Sequence, residues 1–444
     1  MAAIGTASLP RRPPSIKVEG IAAPARAPDQ NCGPPAMTSS HAAQSRPRTV
    51  VFRGVRLLGG PPVDLSVVDG VVDAVADSTG GAAPGAASEV VDCAGLLALP
   101  TLVDAHIHPD KTTWGEPWYT RRRPAHGIAD HVAQDVELSR ALPTPVGVRA
   151  HRLMAHAVAC GTRAMRAHAD VAPAFGLEGL VGINEARAAL AGVLDVQTVG
   201  FPQHGLRQAP GTDALLDEAA RNGLIDLVGG IDPAGFDDNP EHLDTVFGLA
   251  ERHRLGVDIH LHDRGARGLA PLREIIARTH ALDMGGHVTV SHVFCLPGLQ
   301  PRELDELADE LAAAGVSLTT VAADSGSVLP HRRLRAHGVR VGIGSDGVRD
   351  AWSPFGTGDM LHRAHLLGYC TGARLDEELD ACYLAAAHDG AALVGLPRAD
   401  FTPGAPADFL LVDGECLAQA VVDVPQRRMV VRAGRVVARD GALC

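Results

Sequence analysis

The sequence predicts an α/β fold: a (β/α)8 TIM-type barrel with a small β-sandwich domain formed by both chain ends. Three observations predict it. Eight short apolar runs alternate with amphipathic stretches through the middle of the chain. Both ends carry β-rich runs too few to be stable alone. Polar residues of metal-ligand type fall at the C-terminal ends of the middle runs, where barrel enzymes build their sites. A doubly wound sheet is the alternative, and only the placement of those polar residues argues against it.

In chain order, residues 1–47 are rich in Pro, Ala and Arg without periodicity and are expected to form a disordered tail. Residues 49–97 and 399–444 are expected to pair into the sandwich. The first contains TVVFRGVRLL and DLSVVDGVVDAVAD, with a two-residue turn at Asp69-Gly70. The second contains DFLLVD and RRMVVRAGRVVARDG, with a turn at Ala433-Gly434. Residues 98–398 are assigned to the barrel, its strands being LLALPTLVDAHIH, RAMRAHADV, LDVQTVGFP, IDLVGGID, GVDIHLHD, HVTVSHV, VSLTTVA and VRVGIGSD. Two connecting helices are well marked. In one, Asn239 caps, Pro240 takes the first turn and Gly256 is the expected stop. In the other, Leu304, Leu307 and Leu311 share a face and Gly315 stops the helix.

Composition excludes several classes. Net charge is −12, with 52 acids, so a nucleic-acid partner is not expected. No apolar stretch reaches 18 residues, so no membrane partner is expected. The eight cysteines form no C-x-x-C, and a reduced, cytoplasmic chain is the expectation. Arg11-Arg12 lacks the apolar segment of an export signal. Of the 40 basic residues only Lys17 and Lys111 are lysines.

The chemistry gathers at the run ends. The first closes in His106-Ile107-His108, the third in Gln203, the fourth in Asp232, the fifth in His260-Leu261-His262-Asp263, the sixth in Ser291-His292 and the eighth in Asp346. Residues two apart on a strand share a face, so each His-x-His pair points one way. With 21 histidines a lone pair means little. Two pairs at strand ends, followed by a further His and an Asp, make a credible ligand set for a divalent ion with a position open for water. Asp104 is read as orienting a ligand or capping the barrel floor, His168 as a supporting or barrel-filling residue, and Cys295 as core. Lys111, three residues beyond His108, is given a local structural or substrate role.

The motifs VDAHIHPDKT, GFPQHG, DIHLHD, VSHVFCL, GSDGVRDAWSPFGTGDML and GAPADFLLVD together resemble the amidohydrolase superfamily, and within it the cytosine deaminase group of mononuclear deaminases. The resemblance covers residues 49–444. It implies His106, His108, His260 and Asp346 as ligands of one divalent ion, Zn2+ or Fe2+. It implies His292 as the residue that orients and deprotonates water, Gln203 as the contact to a ring amide edge, and Trp352 as pocket wall. Asp263 stands where the group carries a proton-shuttling glutamate one methylene longer, so it is the expected acid, with Asp346 passing a proton to the leaving amine. His262 and Asp232 are expected to contact substrate. His204 follows Gln203 where the group usually has an acid. The run IDLVGGID holds no lysine, which excludes a binuclear centre bridged by a carboxylated lysine.

The expected activity is hydrolytic deamination of a small cytosine-like or creatinine-like heterocycle, the heterocycle being the only partner besides further copies in a homo-oligomer. The alternatives are release of an alkylamine from a substituted azine, cleavage of a cyclic amide, and, remotely, a non-catalytic scaffold.

Overall fold

The computed structural model describes residues 48–78, 89–125 and 128–444. The tail expected over 1–47 lies outside the described residues.

Five strands open the described chain: β1 (Thr49–Leu57), β2 (Pro62–Val68), β3 (Val71–Asp77), β4 (Glu89–Asp92) and β5 (Leu97–Pro100). Eight more follow: β6 (Leu102–Ile107), β7 (Thr162–Asp170), β8 (Asp195–Phe201), β9 (Leu227–Ile231), β10 (Gly256–His260), β11 (Val288–Ser291), β12 (Ser317–Thr320) and β13 (Val341–Ile343). The last four are β14 (Phe409–Val412), β15 (Arg427–Arg432), β16 (Arg435–Arg439) and β17 (Ala442–Leu443).

Strands β6 to β13 form one parallel sheet in sequence order, each falling in one of the eight predicted runs. A parallel bridge between Ile107 and Asp346 joins the first strand to the end of the last, and helices fill the crossovers. Gly344 lies in this seam, where a Cβ would come within 2.4 Å of the His106 carbonyl oxygen; only glycine lets the strand ends close. The main apolar core lies between the sheet and its helices, with Leu153, Ile183, Val246, Ile275 and Leu307 among its buried members.

The ends form a single nine-stranded sheet, ordered β17-β16-β15-β14-β5-β1-β2-β3 with β4 beside β1. It curls so that its halves face each other over Phe52, Leu65, Phe409 and Val431. The Asp69-Gly70 turn meets the Ala433-Gly434 turn, with both residues of each at positive φ as a two-residue hairpin demands. The two layers of the expected sandwich are therefore halves of one sheet. The run LLALPTLVDAHIH is two strands: β5 pairs with β1 and β14 in the end sheet, and β6 begins the barrel.

The helix Pro301–Ala314 ends at Gly315 in the left-handed conformation, as expected. The helix His242–His253 ends earlier than expected. Arg254 takes the left-handed position, and Gly256 instead opens β10.

A buried ion cluster ties the end sheet to the barrel. Asp408 accepts from Arg163 of β7 at 3.0 Å, from Arg432 of β15, and from the Ala433 amide at 2.7 Å. Asp408→Ala leaves the buried Arg163 unpaired and should cost about 3–5 kcal/mol. Urea unfolding should show a lower midpoint at an unchanged slope.

Candidate active site

His106 lies on β6 and His108 just beyond it, His260 ends β10, and Asp346 follows β13. Their side chains converge. Nε2 of His108 stands 3.3 Å from Nε2 of His260 and 3.4 Å from Oδ1 of Asp346, and His106 Nε2 is 3.8 Å from the same oxygen. Four ligands about 2.1 Å from a tetrahedral ion stand about 3.4 Å apart, and these three separations are close to that value. His106 Nε2 is fully buried and has no hydrogen-bond partner, which suits a metal-ligating atom. A second convergent trio substitutes His168 for His108 and Asp346; the His168 ring is wholly buried, with both nitrogens unpartnered.

The tautomer of His106 follows from its support. Ser291 Oγ donates to Asp258 at 2.8 Å, and Asp258 is paired with Arg166 at 3.0 Å. Ser291 has one proton and spends it there, so its oxygen accepts from His106 Nδ1 at 2.9 Å. The lone pair of Nε2 is left facing the other ligands. Burial, then neighbouring imidazoles, push His106 and His260 well below the usual histidine range, which keeps them neutral. Asp104 accepts from the amides of His106 and Ser345, tying β6 to the end of β13.

A small cavity of about 100 Å³ lies over this set, lined by Gln203, His262, His292, Asp350, Trp352 and Lys111 besides the ligands. His292 (φ 71°) and Asp346 (φ 60°) are held in the left-handed region, which costs on the order of 1–3 kcal/mol each and aims both side chains inward. The His262 and His292 rings stack at 4.4 Å, and their protonation diverges. Burial, then the His262 charge, lowers His292 to about 3. Burial also acts to lower His262, but Asp232 Oδ2 at 2.7 Å from its Nδ1 raises it overall. One ring is thus held neutral while the charged form of the other is favoured.

Two expected roles are corrected. Asp263, the expected acid, does not line the cavity. His260 and His262 share a face, and the next residue turns away, toward the space over Gly235. His262 lines the cavity where Asp263 does not. Asp232 does not reach the cavity either; it is 2 % exposed and holds His262 by its ring and its amide.

Lys111 is the main addition. Nζ lies 2.8 Å from Asp170 and 3.8 Å from Asp135, donates to Gln203 Oε1 at 3.1 Å, and sits over the rings of Phe201 and Trp352. Burial acts to lower its pKa, but Asp170, Asp135 and Asp110 raise it overall, so it stays an ammonium. Its place among carboxylates also unsuits it to carboxylation, which would put an anion there. Trp352 Nε1 donates to Asp135 at 3.2 Å, fixing the wall. Asp170 ends β7 and was visible as a strand-end acid; Asp135, in the helix Ile128–Ala141, carried no signal. Asp350 was also missed. It lines the cavity, caps the amides of Trp352 and Ser353, and is pushed up to about 7 by burial.

A parallel barrel with three imidazoles and a carboxylate converging at the C-terminal ends of its strands defines a class: barrel hydrolases that activate water on a divalent ion. The comparisons make this specific. The model of the amidohydrolase family matches residues 154–438, and the chain belongs to that family. It is 38 % identical to N-isopropylammelide isopropylaminohydrolase from Burkholderia multivorans ATCC 17616, whose crystal structure superposes with a TM-score of 0.83 over 89 % of this chain and 100 % of that one. It is 28 % identical over 369 residues to N-isopropylammelide isopropyl amidohydrolase of Pseudomonas sp. (strain ADP), covering 80 % of this chain and 89 % of that protein. At 22 % identity, the fold of 5-methylcytosine deaminase from Klebsiella pneumoniae matches with a TM-score of 0.75 over 88 % and 97 % of the two chains.

Asp346→Asn should leave the circular dichroism spectrum unchanged while metal content by mass spectrometry falls at least tenfold. Undiminished metal in that variant would show that Asp346 is not a ligand.

Proposed function

We propose that this amidohydrolase cleaves the exocyclic C–N bond of a substituted azine whose ring carries oxo groups, releasing an alkylamine. One observation carries this reading. An ammonium can only donate, so Gln203 must turn its oxygen to Lys111 and its Nε2 to the cavity. Lys111 Nζ and Gln203 Nε2 therefore present two adjacent donors to the cavity. A ring edge with two oxo acceptors fits them better than the mixed donor-acceptor edge of cytosine. The likeness to two N-isopropylammelide hydrolases supports the same choice.

Bound to His106, His108, His260 and Asp346, a divalent ion, Zn2+ or Fe2+, would lower the pKa of water to about 7 and supply the nucleophile. Lys111 and Gln203 hold the oxo edge, and Trp352 covers one side of the ring. Neutral His292 orients the water and accepts its proton. His262, protonated against Asp232, donates to the ring nitrogen as the adjacent carbon becomes tetrahedral. Asp346 takes the remaining hydroxyl proton of the tetrahedral carbon and passes it to the departing amine, which leaves as that carbon becomes an oxo carbon. The balance is one water consumed, with a ring C–N bond exchanged for C–O. We place the enzyme in the cytoplasm, in keeping with seven unpaired cysteines among the described residues.

A second reading, ammonia release from a cytosine-like or creatinine-like ring, is favoured by the small size of the cavity over the ligands. Assaying ammonia against isopropylamine release from matched amino- and isopropylamino-azines separates the two; ammonia alone would overturn the first.

Gln203→Glu replaces a donor with an acceptor while keeping a partner for Lys111, and should lower kcat/KM about 10²-fold. An unaffected rate would overturn the donor pair. His262→Asn should lower kcat by about 10²–10⁴. Because Asp232 raises His262, activity should fall as pH rises through the His262 pKa. Asp232→Asn should move that alkaline limb to lower pH.

A further inference from the structure

A second cavity of about 710 Å³ adjoins the small one. The two share Asp346, Gly347 and Ser353. The walls of the larger are mainly apolar: Val321 and Ala322 after β12, Pro354 and Phe355 in the loop after β13, and Leu366 and Tyr369 on the helix Met360–Thr371. Its half-buried cation, Arg363, donates to the carbonyls of Val321 and Ser345. Phe355 and Tyr369 at the rim are 78 % and 80 % exposed. Neither Lys111 nor Gln203 lines it.

The arrangement has a direction. Lys111 and Gln203 stand in the small cavity away from the junction, and Asp346 stands at the junction itself. On the function proposed above, the ring's oxo edge faces the donors and the departing nitrogen faces Asp346. Whatever that nitrogen carries must leave the small cavity toward the large one. An isopropyl group would fill little of it.

We propose that the large cavity is a leaving-group subsite, and that the substrate's exocyclic amine bears an apolar group larger than isopropyl, of cyclohexyl or benzyl size. The proposal rests on the azine-hydrolase reading. Each methylene that enters an apolar pocket is worth about tenfold or more in kcat/KM. Water attacks the ring carbon, the C–N bond breaks, and the amine leaves neutral after taking one proton, with no change of oxidation state.

The test uses one dioxo-azine ring bearing amino, isopropylamino or benzylamino groups, with the metal-loaded enzyme. The benzylamino compound should show a kcat/KM about tenfold or more above the isopropylamino one. Ala323→Trp, at an exposed position on the cavity wall, should abolish that advantage while leaving isopropylamine release within about twofold; Leu366→Trp should do the same from the helix Met360–Thr371. No preference for the benzyl compound, or an equal loss on every substrate, would overturn the subsite. If no azine is hydrolysed, the function proposed above falls instead. Calorimetry with benzylamine and methylamine then decides the cavity alone: benzylamine binding that Ala323→Trp removes supports it, and equal or absent binding overturns it.

Discussion

Three imidazoles and a carboxylate converge at the mouth of the barrel, with His108 3.3 Å from His260 and 3.4 Å from Asp346 and His106 3.8 Å from Asp346, and the rest of the site depends on that convergence. Left bare, such a cluster is costly, because buried nitrogens lose water and gain no partner. What holds it is a relay from the barrel interior: Arg166 pairs Asp258, Asp258 takes the Ser291 proton, and Ser291 orients His106. Residues from β7, β10 and β11 thus set the direction of one lone pair on β6. The strain accepted at His292 and Asp346 serves the same end, since both lie at strand ends where the backbone must turn to aim a side chain inward.

Around this centre the protein separates charge by position. His262 and His292 stack face to face, yet Asp232 raises one and burial lowers the other, so two adjacent imidazoles differ in their hold on a proton. Lys111, buried among carboxylates, is fixed as a cation and imposes the orientation of Gln203. The mainly apolar cavity beyond Asp346 gives the site a polarity, from Lys111 and Gln203 at one end to apolar walls at the other.

Much of this was legible in the sequence. The eight barrel strands and both hairpin turns of the end sheet follow from periodicity and turn chemistry, and the strand-end placement of the histidines, Gln203 and Asp346 from the runs; the ligand set and the cavity positions of Gln203, Trp352 and His292 came with the resemblance to the amidohydrolase superfamily. Other residues were not legible. Asp263 and His262 are neighbours, and which one enters the cavity depends on where β10 stops and on the pairing of His262 with Asp232, a residue 30 positions away. Asp135 reaches Trp352 and Lys111 from a helix with no motif of its own.

The sequence by itself determined the fold class and the inventory of chemical groups, because strand alternation and turn residues are local rules written in adjacent letters. It also established that only Lys17 and Lys111 could supply lysine chemistry. The tertiary structure alone decided what Lys111 does. Its charge, its burial and its hold on Gln203 arise from Asp170, Asp135 and Gln203, brought together from three distant segments. Protonation and hydrogen-bond polarity depend on through-space distances, which a linear pattern does not encode.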